Sequence, residues 1–292
     1  MFLLIGVAVV IGAVIGGYLF EGGNLLLLIQ PSEFIIIGGA AIGSLLISTP
    51  PMVLSNLLKQ CMALLGKGLG PEDYKDLLGM LYQIFRLTQQ NGIMALEPHF
   101  ENPAESSILK NNPTFLARHH SVDFLADSFK VIIVGGILPH DLDALMEEDL
   151  QVHHDDAGRP ATTLASVGDA LPGLGIVAAV LGVVLTMQAI DGPPAEIGLK
   201  VGAALVGTFL GILMSYGFVA PISSSLTQRM QEDARYEQCI RAGIIAHYKG
   251  FAPAIAVEFA RRTLPHHLRP SFEETEQFCR ASRSGGAEQA AA

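Results

Sequence analysis

The residues of this 292-residue chain that are able to do chemistry are few and unevenly placed. Six of the nine histidines come in adjacent pairs: His119-His120, His153-His154 followed by Asp155-Asp156, and His266-His267. Neighbouring residues point to different sides of a helix, whereas a helix that holds a metal needs ligands three or four positions apart. These pairs therefore read as solvated faces, and no metal is expected. Cys61, Cys239 and Cys279 are scattered, odd in number and outside any CxxC spacing, which is the pattern of free thiols. There is no GxxxxGK[ST], GxSxG or HExxH segment, so neither an enzyme nor a cofactor is expected. What remains is a sparse set in apolar surroundings: Pro172, Thr186, Gln188, Thr208, Ser215 and Pro221. A proline inside a helix lacks the N–H donor and frees a carbonyl one turn earlier, so the helix can bend there. Hydroxyls and an amide at such a place suit a helix that handles ions or moves.

The elements that position these residues are two apolar stretches, 164–190 and 197–222, each long enough to cross a bilayer, which takes about 20 helical residues. Two more candidate spans lie at 2–20 and 34–51. Charged residues make up 16% of the chain and mean hydropathy is +0.42, against roughly 25% charged in soluble domains. These values describe an integral membrane protein. A net charge of −10 without a basic stripe argues against nucleic acid. The N-terminus lacks the basic region and the A-x-A-like site of a cleaved signal, so it reads as a retained span. Of the 18 Lys and Arg, eight fall in 52–164 and nine in 222–292. The short loops 21–33 and 191–198 hold only acids: Glu21, Glu33, Asp191 and Glu196. The positive-inside rule then places both termini and the 52–164 segment in the cytoplasm.

The expected architecture is an all-α membrane protein: four transmembrane helices with a helical cytoplasmic insert and C-terminal cytoplasmic helices. Residues 1–51 form the first transmembrane hairpin, 52–164 the insert, 165–222 the second hairpin, 223–281 the C-terminal region, and 282–292 a disordered tail. In the fourth span Ala203, Gly207, Gly211 and Ser215 make a ladder of small residues, which lets helix backbones approach closely in lipid. Lys200, near an outer end, can snorkel. The inner parts of all four spans contain no Asp, Glu, His or Arg. An ion path at depth normally needs an ionisable group, so a carboxylate would have to come from another chain.

At these residues the sequence is similar to a known family. SVGDALPGLGIVAAVLGVV and GAALVGTFLGILMSYGFVAPIS resemble the third and fourth membrane helices of the MotA family, the ion-conducting stator subunits of the bacterial flagellar motor. The likeness continues through LLGMLYQIF, NGIMALEPHFENP, GFAPAIAVEFARRTLP and RPSFEE, up to about residue 280. It implies a ring, a pentamer, around a dimer of MotB, whose single span supplies the missing Asp. It also implies an inner-membrane location and a cytoplasmic insert that pushes on a FliG-type rotor protein. Pro172 and Pro221 match the family's two functional prolines, and Thr208 and Thr186 belong to the same stretch. Glu97 matches the acidic rotor contact. The basic rotor position falls on Gln89, a departure for which Arg86, one turn earlier, is the nearest substitute. Ala179 stands where sodium-type relatives carry Thr; losing that oxygen ligand favours protons over a hard cation. Two other readings stay open: an ExbB/TolQ-type energiser of outer-membrane processes, which typically has three spans, and a passive scaffold that Pro172→Ala and Thr208→Ala would leave intact.

Overall fold

A computed structural model describes residues 2–188 and 190–279, all helical apart from turns and short connections. Among them four helical stretches are long and apolar enough to cross a membrane: Phe2–Phe20, Leu25–Ser48, Pro139–Met187 and Pro194–Tyr248. The tail expected to be disordered lies outside the described residues.

The chain divides into two compact units. The first comprises Met1–Lys67 and Ala157–Arg229. It contains α1 (Phe2–Phe20), the single turn α2 (Leu25–Leu28), α3 (Pro31–Ser48) and α4 (Pro51–Ala63). Prolines open α3 and α4 at a position where the missing N–H would have no helical partner anyway. The unit also takes the second part of a very long helix, numbered α9 (Pro139–Met187), and all of α10 (Pro194–Ile212). After α10 the helix widens over Leu213–Val219, where N–H groups bond five residues back, as from Ala220 to Ser215. It then resumes as α11 (Ala220–Tyr248), with Pro221 in its first turn. Ile37 and Ala41 of α3 pack with Leu171 and Ala178 of α9 and Leu210 of α10. A smaller cluster, Leu57, Ala161 and Leu226, ties α4 to α9 and α11, and the Gln60 amide donates to the Ala157 carbonyl. These contacts group residues 52–67 with the apolar helices rather than with the insert.

The second unit comprises Gly68–Asp156 and the chain from Met230 onward. Its first helix, α5 (Pro71–Asn91), starts with Pro71 and with the Gly70 N–H bonded to Asp73 at 2.7 Å. It ends at Gly92, whose φ of +81° is a conformation that side chains disfavour. The short helices α6 (Glu97–Glu101) and α7 (Pro113–Leu116) follow, flanked by Asn102 and Asn112. Then come α8 (His119–Val134), the first part of α9, the second part of α11, and α12 (Pro253–Arg262). Leu77, Leu78, Leu81, Ile84 and Phe85 of α5 are fully buried against Phe129, Leu142, Met146, Tyr236, Ile240 and Val257. Phe85 stacks on His247 with centroids 4.7 Å apart. Arg118 bonds Asp233 at 2.6 Å and lies over the Tyr236 ring, and Arg241 is held by Asp143 and Glu147.

Candidate functional site

The site is the seam between α9 and α10, where side chains are so small that backbone meets backbone. A Cβ built on Gly175 would stand 2.8 Å from the Gly207 carbonyl, and one on Gly211 2.6 Å from the Leu171 carbonyl. One on Gly182 would meet the Ala204 Cβ at 2.7 Å. No side chain fits at such distances, so these glycines set the helix spacing. Of the residues expected to form a ladder on the fourth span, Gly207 and Gly211 lie in this seam, where Ala204 is buried and Ala203 half-buried. The reason is helical pitch: steps of four drift around a helix that turns every 3.6 residues, while Ala204, Gly207 and Gly211 stay on one face. Ser215, 1% exposed, continues the line into the widened segment.

The two prolines stand at different levels, since Leu171 faces Gly211, but the turns they weaken meet at Gly168 and Val219. Pro172 sits inside α9, and the carbonyl it leaves without its usual donor belongs to Gly168. A Cβ on Gly168 would be 3.2 Å from Val219 Cγ1 and 3.7 Å from the Ala220 nitrogen, next to Pro221. The weakened turn of α9 therefore packs on the turn where α11 begins. Thr186 is fully buried and donates to the Gly182 carbonyl at 2.8 Å, which commits its proton to its own helix. Thr208 and Ala179 are half-buried near the middle of the seam. Lys200 pairs with Glu196 at 3.2 Å, one turn away.

One residue overturns an expectation. Glu33, assigned from the sequence to an outer loop, belongs to the first turn of α3 and is 6% exposed. Its Oε2 has no hydrogen-bond partner among the described residues. A Cβ on Gly207 would stand 2.5 Å from that oxygen, 3.1 Å from the Ala179 amide nitrogen and 3.2 Å from the Ala178 Cβ. The apolar unit thus holds a carboxylate of its own. The sequence signal was Pro31, which starts the helix before Glu33 instead of after it.

In the other unit, Glu97 and Gln89 are exposed and Arg86 is half-buried, on the end of α5 and the start of α6. There the structure also revises the histidines. His120 and His153 stack with centroids 3.4 Å apart and planes 12° apart, and their Nε2 atoms lie 3.7 and 3.8 Å from Glu237 Oε1. They are partly buried rather than solvated, and the three ligand atoms fall within 4.8 Å of one another. Parallel rings send their lone pairs side by side instead of to one point, which is poor metal geometry. The cluster is instead a set of coupled acids and bases. Burial holds both histidines below their usual range, and burial with the nearby Asp233 pushes Glu237 up to about 7.

Comparison with known proteins gives this arrangement its context. The Motility protein A N-terminal family matches residues 4–92, and the MotA/TolQ/ExbB proton channel family matches 116–238. Motility protein A of Salmonella typhimurium is 41% identical over 99% of this chain and 98% of its own length. That of Escherichia coli is 42% identical over 97% of each. The fold is similar to a chain in the structure of C. jejuni MotAB, with a TM-score of 0.74, 21% identity and coverage of 90% of this chain and 95% of that one. It is equally similar to the Bacillus subtilis flagellar MotAB stator complex, with a TM-score of 0.73, 21% identity and coverage of 92% and 98%. With a relative above 40% identity along nearly the whole of both chains, the chain belongs to the motility protein A family, within the MotA/TolQ/ExbB proton channel group.

Proposed function

We propose that the chain is the stator subunit of a bacterial flagellar motor, which with a MotB-type one-span partner forms a proton channel that couples proton flow to torque. The observation that carries this reading is the near full-length identity to motility protein A proteins. The match of residues 4–92 to a family specific to them favours it over the ExbB/TolQ alternative. The seam supplies a physical route. Two helices that touch through glycines slide at low cost in contacts, and the turns weakened by Pro172 and Pro221, which meet at Gly168 and Val219, can bend together.

In this reading the subunits stand as a ring, a pentamer, around a MotB dimer in the inner membrane, with both termini in the cytoplasm. Each proton crossing releases about 2.3 kcal/mol per 100 mV of membrane potential, several times thermal energy. Pro172, Pro221, Thr208 and Ala179 border the path, Ala179 favours protons over sodium, and Glu97 with Arg86 and Gln89 face a FliG-type rotor protein. Co-expression with the cognate one-span partner in a stator-less strain is the test. Restored swimming whose speed follows proton-motive force and ignores external sodium is the expected result. Failure to swim with good expression in the membrane overturns the stator reading, and speed rising with sodium overturns the ion assignment.

A further inference from the structure

We infer that Glu33 is a proton-binding station that this chain itself contributes to the ion path, in a niche cut by Gly207. The inference rests on the stator reading above.

Glu33 is 6% exposed and its Oε2 is without a partner among the described residues. An ionised carboxylate without a partner is costly away from water, and in a membrane span it is by default a working group. Its neighbours at the niche are the backbone of Gly207 on α10 and Ala178 and Ala179 on α9, none of which ionises. Any side chain at 207 would occupy the place of the carboxylate oxygen. The seam glycine therefore does more at this position than set the helix spacing.

The level of the niche matters as well. Gly207 lies roughly 20 Å along α10 from Pro194, at 1.5 Å per residue. Glu33 reaches this level from the first turn of α3, and residues of α1 and α2 meet α10 nearby at Gly202, Leu205, Val206 and Phe209. Residues 194–201 of α10, outward of the niche, are largely exposed. Ala179 borders the niche itself, and Thr208, the next residue along α10, lies inward of Gly207. A proton arriving from outside converts the carboxylate to the neutral acid. Passing it on to the partner's carboxylate restores the anion, so the step balances with no other reactant.

The test compares Glu33→Gln and Glu33→Asp with the unaltered chain, beside the cognate one-span partner in a stator-less strain. The unaltered chain must first restore swimming, which separates failure of the stator reading from failure of this one. Single-motor speed is then measured against external pH at fixed membrane potential, with tagged stators counted at the motor. Glu33→Gln keeps the stator count but is expected to lose most of the speed and its dependence on external pH, while Glu33→Asp keeps that dependence. Unchanged speed and pH profile in Glu33→Gln would overturn the inference, as would equal loss of assembly in both variants, which marks a packing role. If Glu33→Gln alone fails to assemble, infrared difference spectra of the reconstituted, unaltered complex decide. A carboxylic C=O band that rises on acidification and is lost in Glu33→Asp, replaced by a shifted one, upholds the station, and its absence overturns it.

Discussion

The two units of this chain are built on opposite principles. The one around α5 hides Leu78, Leu81, Phe85 and Leu125 completely and turns charge outward. The one around α9 and α10 does the reverse. All of α1 lacks a buried residue, and Ile176, Val177, Val180, Val184 and Leu185 of α9 are exposed. The closest approaches of this part of α9 to α10 run along Leu171, Gly175 and Gly182. The α5 unit carries its own large hydrophobic core. The α9–α10 unit has only small buried clusters, and its apolar surface is satisfied by lipid or by other chains. Stability and assembly should therefore separate by unit.

The largest expected effect is in the α5 core: Leu81→Ala or Phe85→Ala should cost about 3–5 kcal/mol, read as a lower melting temperature of the detergent-solubilised chain. If neither lowers it, the α5 unit does not melt as a cooperative core. In the seam, Gly211→Val should force α9 and α10 apart, because the nearest atom is the Leu171 carbonyl, which is backbone and cannot rotate away. Overpacking of this kind costs about 1–3 kcal/mol, and fewer stators counted at the motor would report it. Unaltered assembly would show that the seam is looser than drawn.

A third prediction concerns pH. Glu237 keeps its proton up to about 7, above the ordinary 4.5 of a glutamate. The native state thus binds this proton more tightly than the unfolded one, so stability is full below 4.5 and falls as pH rises through 7. His120 and His153, lowered by burial, act in the opposite sense below 6.5. Glu237→Gln removes the alkaline penalty and should gain up to about 3 kcal/mol at pH 8 with little change at pH 4.5. Melts at the two pH values check the sign; equal gains at both would mean the carboxyl does not titrate there. The smallest expected effect is Val180→Ala on the exposed face of α9: within about 0.5 kcal/mol for the isolated chain, with the loss appearing in co-purification of the partner. A large melting shift in the isolated chain would show that this face is covered internally.

Helix content, the four apolar stretches and the α5 start at Pro71 were legible because each depends on local periodicity and on proline or glycine at the ends. Prolines at the matching ends of two joined spans made weakened turns there legible, but not that those turns meet through Gly168 and Val219. What was not legible depends on how distant turns meet. His120, His153 and Glu237 come from three helices, and nothing in an adjacent His-His pair tells which neighbour will face it. Ala204, buried in the seam, was missed by counting in fours. Glu33 was missed because a carboxylate three residues from a loop was read as part of the loop.

The widened turns at Leu213–Val219 have a mechanical consequence of their own. In the language of crystals they are a dislocation, one surplus residue held within an otherwise regular rod. Such a defect can travel by exchanging a five-residue hydrogen bond for a four-residue one at each step. The bonds are traded, not lost, and the backbone on one side twists relative to the other as the defect passes. It sits between the glycine seam and Pro221. A single subunit therefore carries its own torsional slack at that point, whatever its neighbours are doing.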